Sequence, residues 1–250
     1  MNREISSRDL VREASARLRE AGSESPYLDA TLLLAHVWEV TREQMYALLG
    51  DPVHPDDAET FETLVQRRLS GEPVAYLVGY KEFFGHRFIV NRHVLVPRPE
   101  TELLVETALD MCPDRESRYI HDCCTGSGCV AIAIAAERGE ASVSMSDINE
   151  QTLEVAARNS LGVLGRVLPN WTSDLLNNVP GRFNIITCNP PYLSEDEMAF
   201  LHAAAEGDAA SGRSPRHEPY AALSGGADGL EFVRFQEFTE RFIRRRMHVI

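Results

Sequence analysis

Along the first third of the chain, apolar residues recur at helical spacing in short runs separated by capping and turn residues. Leu10, Val11, Ala14 and Leu18 fall on one side of a helix that Ser6 or Ser7 can cap and Gly22 can end. A second run, Tyr27 to Val40, is rich in Leu and Ala. Thr41 followed three residues later by Gln44 is a capping-box pattern ahead of Met45, Leu48 and Leu49. Pro55 precedes a fourth run that carries Phe61, Leu64, Val65 and Leu69. The spacing predicts a small bundle of four amphipathic helices over residues 1–73, with nothing catalytic in it. Docking or orienting a substrate is its functional reading, and a structural appendage the plain one. From Pro73 onward the pattern turns to β. Phe83 to Val90 and Val94 to Val96 predict a hairpin joined by Asn91-Arg92-His93, so that residues 74–96 link two domains.

Between residues 97 and 250 short apolar runs alternate with helical ones. Pro97-Arg98-Pro99 interrupts the hairpin pattern, and Glu100-Thr101-Glu102 opens a helix from Leu103 to Met111. Strands are predicted at Tyr119–Cys123, Ala141–Ser146, Val167-Leu168 and Phe183–Cys188, with helices at Cys129–Arg138 and Gln151–Leu161. Met247-His248-Val249-Ile250 reads as the start of a fifth strand, and Ala203 to Pro215 as a polar loop. Such a βα rhythm predicts an α/β fold with a mostly parallel sheet covered by helices on both faces.

Composition narrows the function classes. No run of the 250 residues approaches the length of a membrane-spanning helix, and Met1-Asn2-Arg3-Glu4 has no apolar region behind it. We therefore expect no membrane association and no secretory signal. The net charge of −13 argues against a protein that coats duplex nucleic acid. Cys112, Cys123, Cys124, Cys129 and Cys188 are odd in number and contain no Cys-x-x-Cys pair. That spacing argues against a disulfide framework or a zinc site, and points to a reducing cytoplasm and no metal.

Candidate chemistry lies at the predicted strand ends. Asp122-Cys123-Cys124-Thr125-Gly126-Ser127-Gly128 joins the first strand of this half to its first helix, and its glycines let backbone approach a ligand closely. The spacing is neither that of a dinucleotide fingerprint nor that of a phosphate-binding P-loop. Asp147 ends the second strand, where a carboxylate can accept both hydroxyls of a ribose. Asp174, near the third strand, can hold an adenine amino group. Asn189-Pro190-Pro191-Tyr192 follows the fourth strand. Two prolines fix a stiff corner there. The Asn189 oxygen and the Pro190 carbonyl can accept the two N–H bonds of a planar NH2 group while Tyr192 covers its face.

Together, Asp-x-x-Thr-Gly-Ser-Gly, Asp147 and Asn189 to Tyr192 resemble class I (Rossmann-like) S-adenosylmethionine-dependent methyltransferases that act on planar nitrogens. Further motifs narrow the match: Glu72-Pro73-x-x-Tyr76-Leu77-x-Gly79, Val96-Pro97-Arg98-Pro99-Glu100-Thr101-Glu102, His217-Glu218-Pro219-x-x-Ala222-Leu223 and Gly225-Gly226-x-Asp228-Gly229-Leu230. They resemble the HemK/PrmC glutamine methyltransferases of peptide chain release factors, over residues of about 70 to 235. The resemblance implies S-adenosylmethionine as cofactor, S-adenosylhomocysteine as product and release factors as partners. The cofactor is expected on Cys124, Thr125, Gly126, Ser127, Gly128, Asp147, Asp174 and Asn189, with Leu175 near the adenine, and the acceptor amide on Asn189, Pro190, Pro191 and Tyr192. Cys124 stands where the family has glycine. The family pattern also runs on into a terminal hairpin that has no counterpart before Ile250. Glu218 and His217 are candidate proton acceptors, whereas His86, His93 and His121 read as surface or packing residues. Two other readings stay open: an adenine methyltransferase acting on DNA or RNA, and a non-catalytic binding protein with a decayed cofactor site.

Overall fold

A computed structural model describes residues 5–112, 119–207, 217–232 and 243–249. The chain divides into two compact units, Met1–Gly79 with Ala199–His217, and Tyr80–Met198 with Glu218–Ile250.

In the first unit, helices α1 (Ser7–Glu20), α2 (Pro26–Val37), α3 (Arg42–Ala47) and α4 (Pro55–Leu69) form where the apolar spacing places them. Ser6 caps α1 by accepting from the Asp9 amide, and Thr41 with Gln44 completes a capping box on α3. Their apolar faces meet around Leu18, Leu33, Leu34, Met45 and Phe61, which are essentially inaccessible to water. Arg68 is buried beside Asp29 at 2.9 Å, so this charge is removed from water only with its partner. A fifth helix, α5 (Val74–Val78), ends at Gly79, whose φ of 84° suits glycine.

The second unit opens with an antiparallel hairpin, β1 (Tyr80–Phe83) and β2 (His86–Ile89), paired from Tyr80↔Ile89 to Phe83↔His86. The expected turn at Asn91–His93 is thus replaced by Phe84-Gly85, both with positive φ (48° and 74°). Such a two-residue turn matches strand twist and fixes the register. The Glu102 carboxylate accepts from the Phe84 amide at 2.9 Å and holds the strained residue. Val94-Leu95-Val96 forms no strand; the Val96 amide instead donates to Glu218.

A five-stranded sheet follows, in the order β5-β4-β3-β6-β7, with every neighbouring pair parallel. Its strands are β3 (Tyr119–Cys123), β4 (Ser142–Asp147), β5 (Asn170–Thr172), β6 (Phe183–Cys188) and β7 (Ile243–Val249). The third strand of the prediction moves from Val167-Leu168 to Asn170–Thr172. Pro169 has no N–H to give a ladder, so pairing starts after it, while Leu168 is buried in the core. Helices α6 (Glu102–Asp110), α7 (Cys129–Glu137) and α8 (Glu150–Leu164) cover the sheet. Residues 203–207, read as loop, continue helix α9 (Glu195–Gly207), as a run of three alanines favours. The rest of that predicted loop, 208–216, lies outside the described residues. Among the described residues no helix is long and apolar enough to cross a membrane.

From β3 the chain winds outward through β4 and β5, then returns to place β6 on the other side of β3. The crevice at the carboxyl ends of β3 and β6 is therefore the switch point at which open α/β sheets bind ligands.

Candidate active site

The loop after β3 begins on a buried carboxylate. Asp122 accepts from the Thr125 hydroxyl at 2.6 Å and from the Thr187 hydroxyl of β6 at 2.7 Å, which ties the loop to both sides of the switch point. Burial pushes the Asp122 carboxyl up to about 7. The Thr125 amide donates to the Ser146 carbonyl of β4. Cys124, Gly126 and Gly128 all have positive φ (56°, 56° and 80°), so the loop turns twice before α7 starts. A Cβ on Gly128 would approach Ile132 to 2.8 Å and Ala156 to 3.2 Å, whereas one on Gly126 would meet nothing within 4 Å. Gly128 thus serves close helix packing, and Gly126 leaves room beside the cavity.

Asp147, at the end of β4, accepts from the Gly126 amide at 3.0 Å through one oxygen and from the Asn149 amide at 3.2 Å through the other. Each oxygen keeps a lone pair for a further donor. Burial raises this carboxyl above its ordinary range. Asp174 is exposed just beyond β5, and Leu175 beside it holds a positive φ of 51°. These groups line a cavity of about 340 Å³ with Ile148, Asn189, Pro191 and Tyr220. The volume and the mixture of apolar walls with a few polar groups are those of a small-molecule site.

Asn189 follows β6 and borders a second space. A groove of about 500 Å³ is lined by Leu95, Leu103, Leu104, Cys188, Pro190 and Tyr192, and Asn189, Thr101 and Arg98 line both spaces. The Asn189 amide nitrogen makes a long contact, 3.5 Å, to the Thr101 hydroxyl. Its oxygen is then the atom left to accept from a ligand.

Of the sequence-predicted residues, Cys124 to Ser127, Asp147, Asp174, Leu175, Asn189 and Pro191 line the cavity, Pro190 and Tyr192 line the groove, and Gly128 packs behind the loop. Glu218 is tied into the wall of the site through both of its oxygens. It is buried, with one oxygen on the Val96 amide at 3.1 Å and the other on Arg98 at 2.6 Å, and so clamps two family motifs together. His217 belongs to the first unit, where its ring contacts the Ser70 carbonyl at 3.3 Å. His121 is buried between Ser144 and Ser146 (3.0 and 2.9 Å) against the Phe183 ring, and burial lowers it to about 4, as suits a packing residue. His93 lines the cavity.

Sequence reasoning assigned no role to the glycines that seat the Asn189–Tyr192 corner. A Cβ on Gly225 would stand 2.9 Å from the Pro191 carbonyl oxygen, and one on Gly229 2.5 Å from that of Tyr192. Two backbone bonds from Leu193 flank this contact: its amide donates to the Leu223 carbonyl, and its carbonyl accepts from the Gly225 amide. The signal was present in Gly225-Gly226-x-Asp228-Gly229, but nothing in the chain says which backbone those glycines approach.

Known proteins match this chain in both of its units. Residues 9–79 match the PrmC N-terminal domain and residues 99–209 the methyltransferase small domain. The release factor glutamine methyltransferase of Neisseria gonorrhoeae is 39% identical over 85% of this chain and 74% of that protein. The one of Cereibacter sphaeroides is 39% identical over 90% of this chain and 77% of that protein. Among solved structures, the hMettl16 catalytic domain in complex with an RNA hairpin superposes with a TM-score of 0.50 at 15% identity, covering 72% of this chain and 65% of that one. That likeness concerns the fold alone. Matched along most of its length by such relatives, the chain belongs to the release factor glutamine methyltransferase family.

Proposed function

We propose that this chain transfers a methyl group from S-adenosylmethionine to the side-chain amide nitrogen of a glutamine in peptide chain release factors, leaving S-adenosylhomocysteine. Asn189 carries the reading, because it stands at the junction of the acid-lined cavity and the groove. The cavity fits the cofactor by its donor set: loop amides, an Asp147 carboxylate with lone pairs to spare, and apolar surface at Leu175 and Ile148. When bound, the cofactor supplies an electrophilic sulfonium methyl.

Asp147 takes the ribose hydroxyls, Asp174 and Leu175 border the adenine, and the Cys124–Gly128 loop borders the remaining length. On the groove side, Asn189 and the Pro190 carbonyl accept the two N–H bonds of the acceptor amide. An amide lone pair is delocalised into its carbonyl, so these bonds matter by localising charge on nitrogen and fixing its direction. Tyr192 covers the face of the amide. With Glu218 committed to Val96 and Arg98, the proton released in transfer goes to water rather than to a strong base. Docking of the release factor is assigned to the helical unit, and a cytoplasmic location goes with this substrate.

The test is methyl transfer from labelled S-adenosylmethionine, offered in parallel to purified release factor and to single-stranded and duplex nucleic acid. Label on a release-factor glutamine alone is the expected result. Label on adenine alone would replace this reading with the nucleic-acid one, and no label with no cofactor binding would leave a non-catalytic protein.

A further inference from the structure

Along the chain the cysteines lack the spacing of a metal site. Folding brings three of the five cysteines together: the sulfurs of Cys123, Cys124 and Cys188 all lie within 4.8 Å of one another. Two features of the backbone do this. Cys123 and Cys188 end adjacent parallel strands and are Cα partners across them. Cys124 would ordinarily point to the opposite face from Cys123, since side chains alternate along a strand. Its φ of 56° breaks that alternation and returns its sulfur to the same side. All three cysteines are free thiols, with Cys123 buried and the other two half-buried.

We propose that Cys123, Cys124 and Cys188 form a binding site for one zinc(II) ion, held by three thiolates. Zinc–sulfur bonds of about 2.3 Å place ligand sulfurs roughly 3.8–4.0 Å apart, so the cluster needs only a small closure to bind. A soft all-sulfur donor set favours zinc over magnesium or calcium. Each thiol releases its proton to solvent as its sulfur bonds the ion. A fourth position stays open. Cys124 lines the cofactor cavity and Cys188 the groove, next to Asn189, so the ion sits in the wall between them. On the proposed function, occupancy therefore draws in the cofactor loop and weakens binding of S-adenosylhomocysteine.

The experiment titrates the reduced full-length protein with cadmium(II), read by sulfur-to-metal charge-transfer absorption, and with zinc(II), read by calorimetry. We expect one equivalent of either ion. Cys124→Gly, which suits the positive φ, and Cys188→Ser should each weaken binding at least tenfold, and Cys112→Ala should leave it unchanged. Thermal melts show that each variant is folded. Absence of the charge-transfer band, or wild-type affinity in both Cys124→Gly and Cys188→Ser, overturns the site. A second titration measures S-adenosylhomocysteine affinity with and without zinc. A loss of severalfold is expected, and equal affinity overturns the coupling. If neither form binds S-adenosylhomocysteine while the cluster binds metal, the functional reading fails and the metal site stands.

Discussion

The cavity and the groove share Asn189 but are held in place differently. Two polar groups of the cavity are fixed by neighbours at the carboxyl ends of β3 and β4: Asp147 by the Gly126 and Asn149 amides, and Thr125 by Asp122 and Ser146. The groove is assembled from segments far apart in the chain, joined by Glu218 to Val96 and Arg98, and by Gly225 and Gly229 against Pro191 and Tyr192. Damage on the cavity side should therefore appear as lost cofactor affinity. Damage on the groove side should appear as lost turnover with cofactor affinity intact.

The largest effect belongs to Asn189. If Asn189 accepts the substrate's N–H bonds as proposed, Asn189→Ala should lower turnover by about 10²–10³. Gly229→Ala comes next. A Cβ there meets the Tyr192 carbonyl oxygen at 2.5 Å from a φ of 74°, so the corner must move. Displacement of about 1 Å at such a site costs on the order of 10² in kcat/KM. S-adenosylhomocysteine affinity by calorimetry should stay within about threefold of wild type, and a collapse of that affinity would join the two walls into one unit.

On the cavity side, Asp147→Ala should weaken S-adenosylmethionine binding by about tenfold, roughly 1.4 kcal/mol. Calorimetry checks this, and unchanged affinity would remove Asp147 from the cofactor site. The smallest effect is expected from Glu218→Gln, which keeps the shape but loses the charge on the bond to Arg98. We expect a loss of about 1 kcal/mol in stability and a modest rise in KM for release factor, seen in denaturant melts and steady-state kinetics. A loss of turnover comparable to that of Asn189→Ala would return Glu218 to the reaction itself.

This difference between the walls also explains what could be read in the sequence. Cavity residues lie in short contiguous stretches at strand ends, so periodicity that locates β3, β4 and β6 also locates Asp122, Asp147 and Asn189. The hairpin register was missed because two positive φ values at Phe84-Gly85, one of them on an aromatic residue, outweigh the turn-like Asn91-Arg92-His93. The start of β5 was missed because Pro169 interrupts an apolar run without ending the segment. Glu218 looked like a base because its type suits one. Only the distant Val96 amide and the Arg98 guanidinium show that its carboxylate joins separate segments. The cysteine cluster was hidden in the same way, since Cys188 joins Cys123 across a strand pair 65 residues apart in sequence.

The central claim is that Asn189 orients the acceptor while Asp147 holds the cofactor. Single-turnover methyl transfer to release factor, measured for Asn189→Ala and Asp147→Ala as S-adenosylmethionine is raised to saturation, tests it most directly. The account predicts that saturating cofactor restores most of the rate to Asp147→Ala and leaves Asn189→Ala slow by about 10²–10³. Recovery of Asn189→Ala at saturating cofactor would contradict it, and would make Asn189 part of the cofactor site instead of the acceptor clamp.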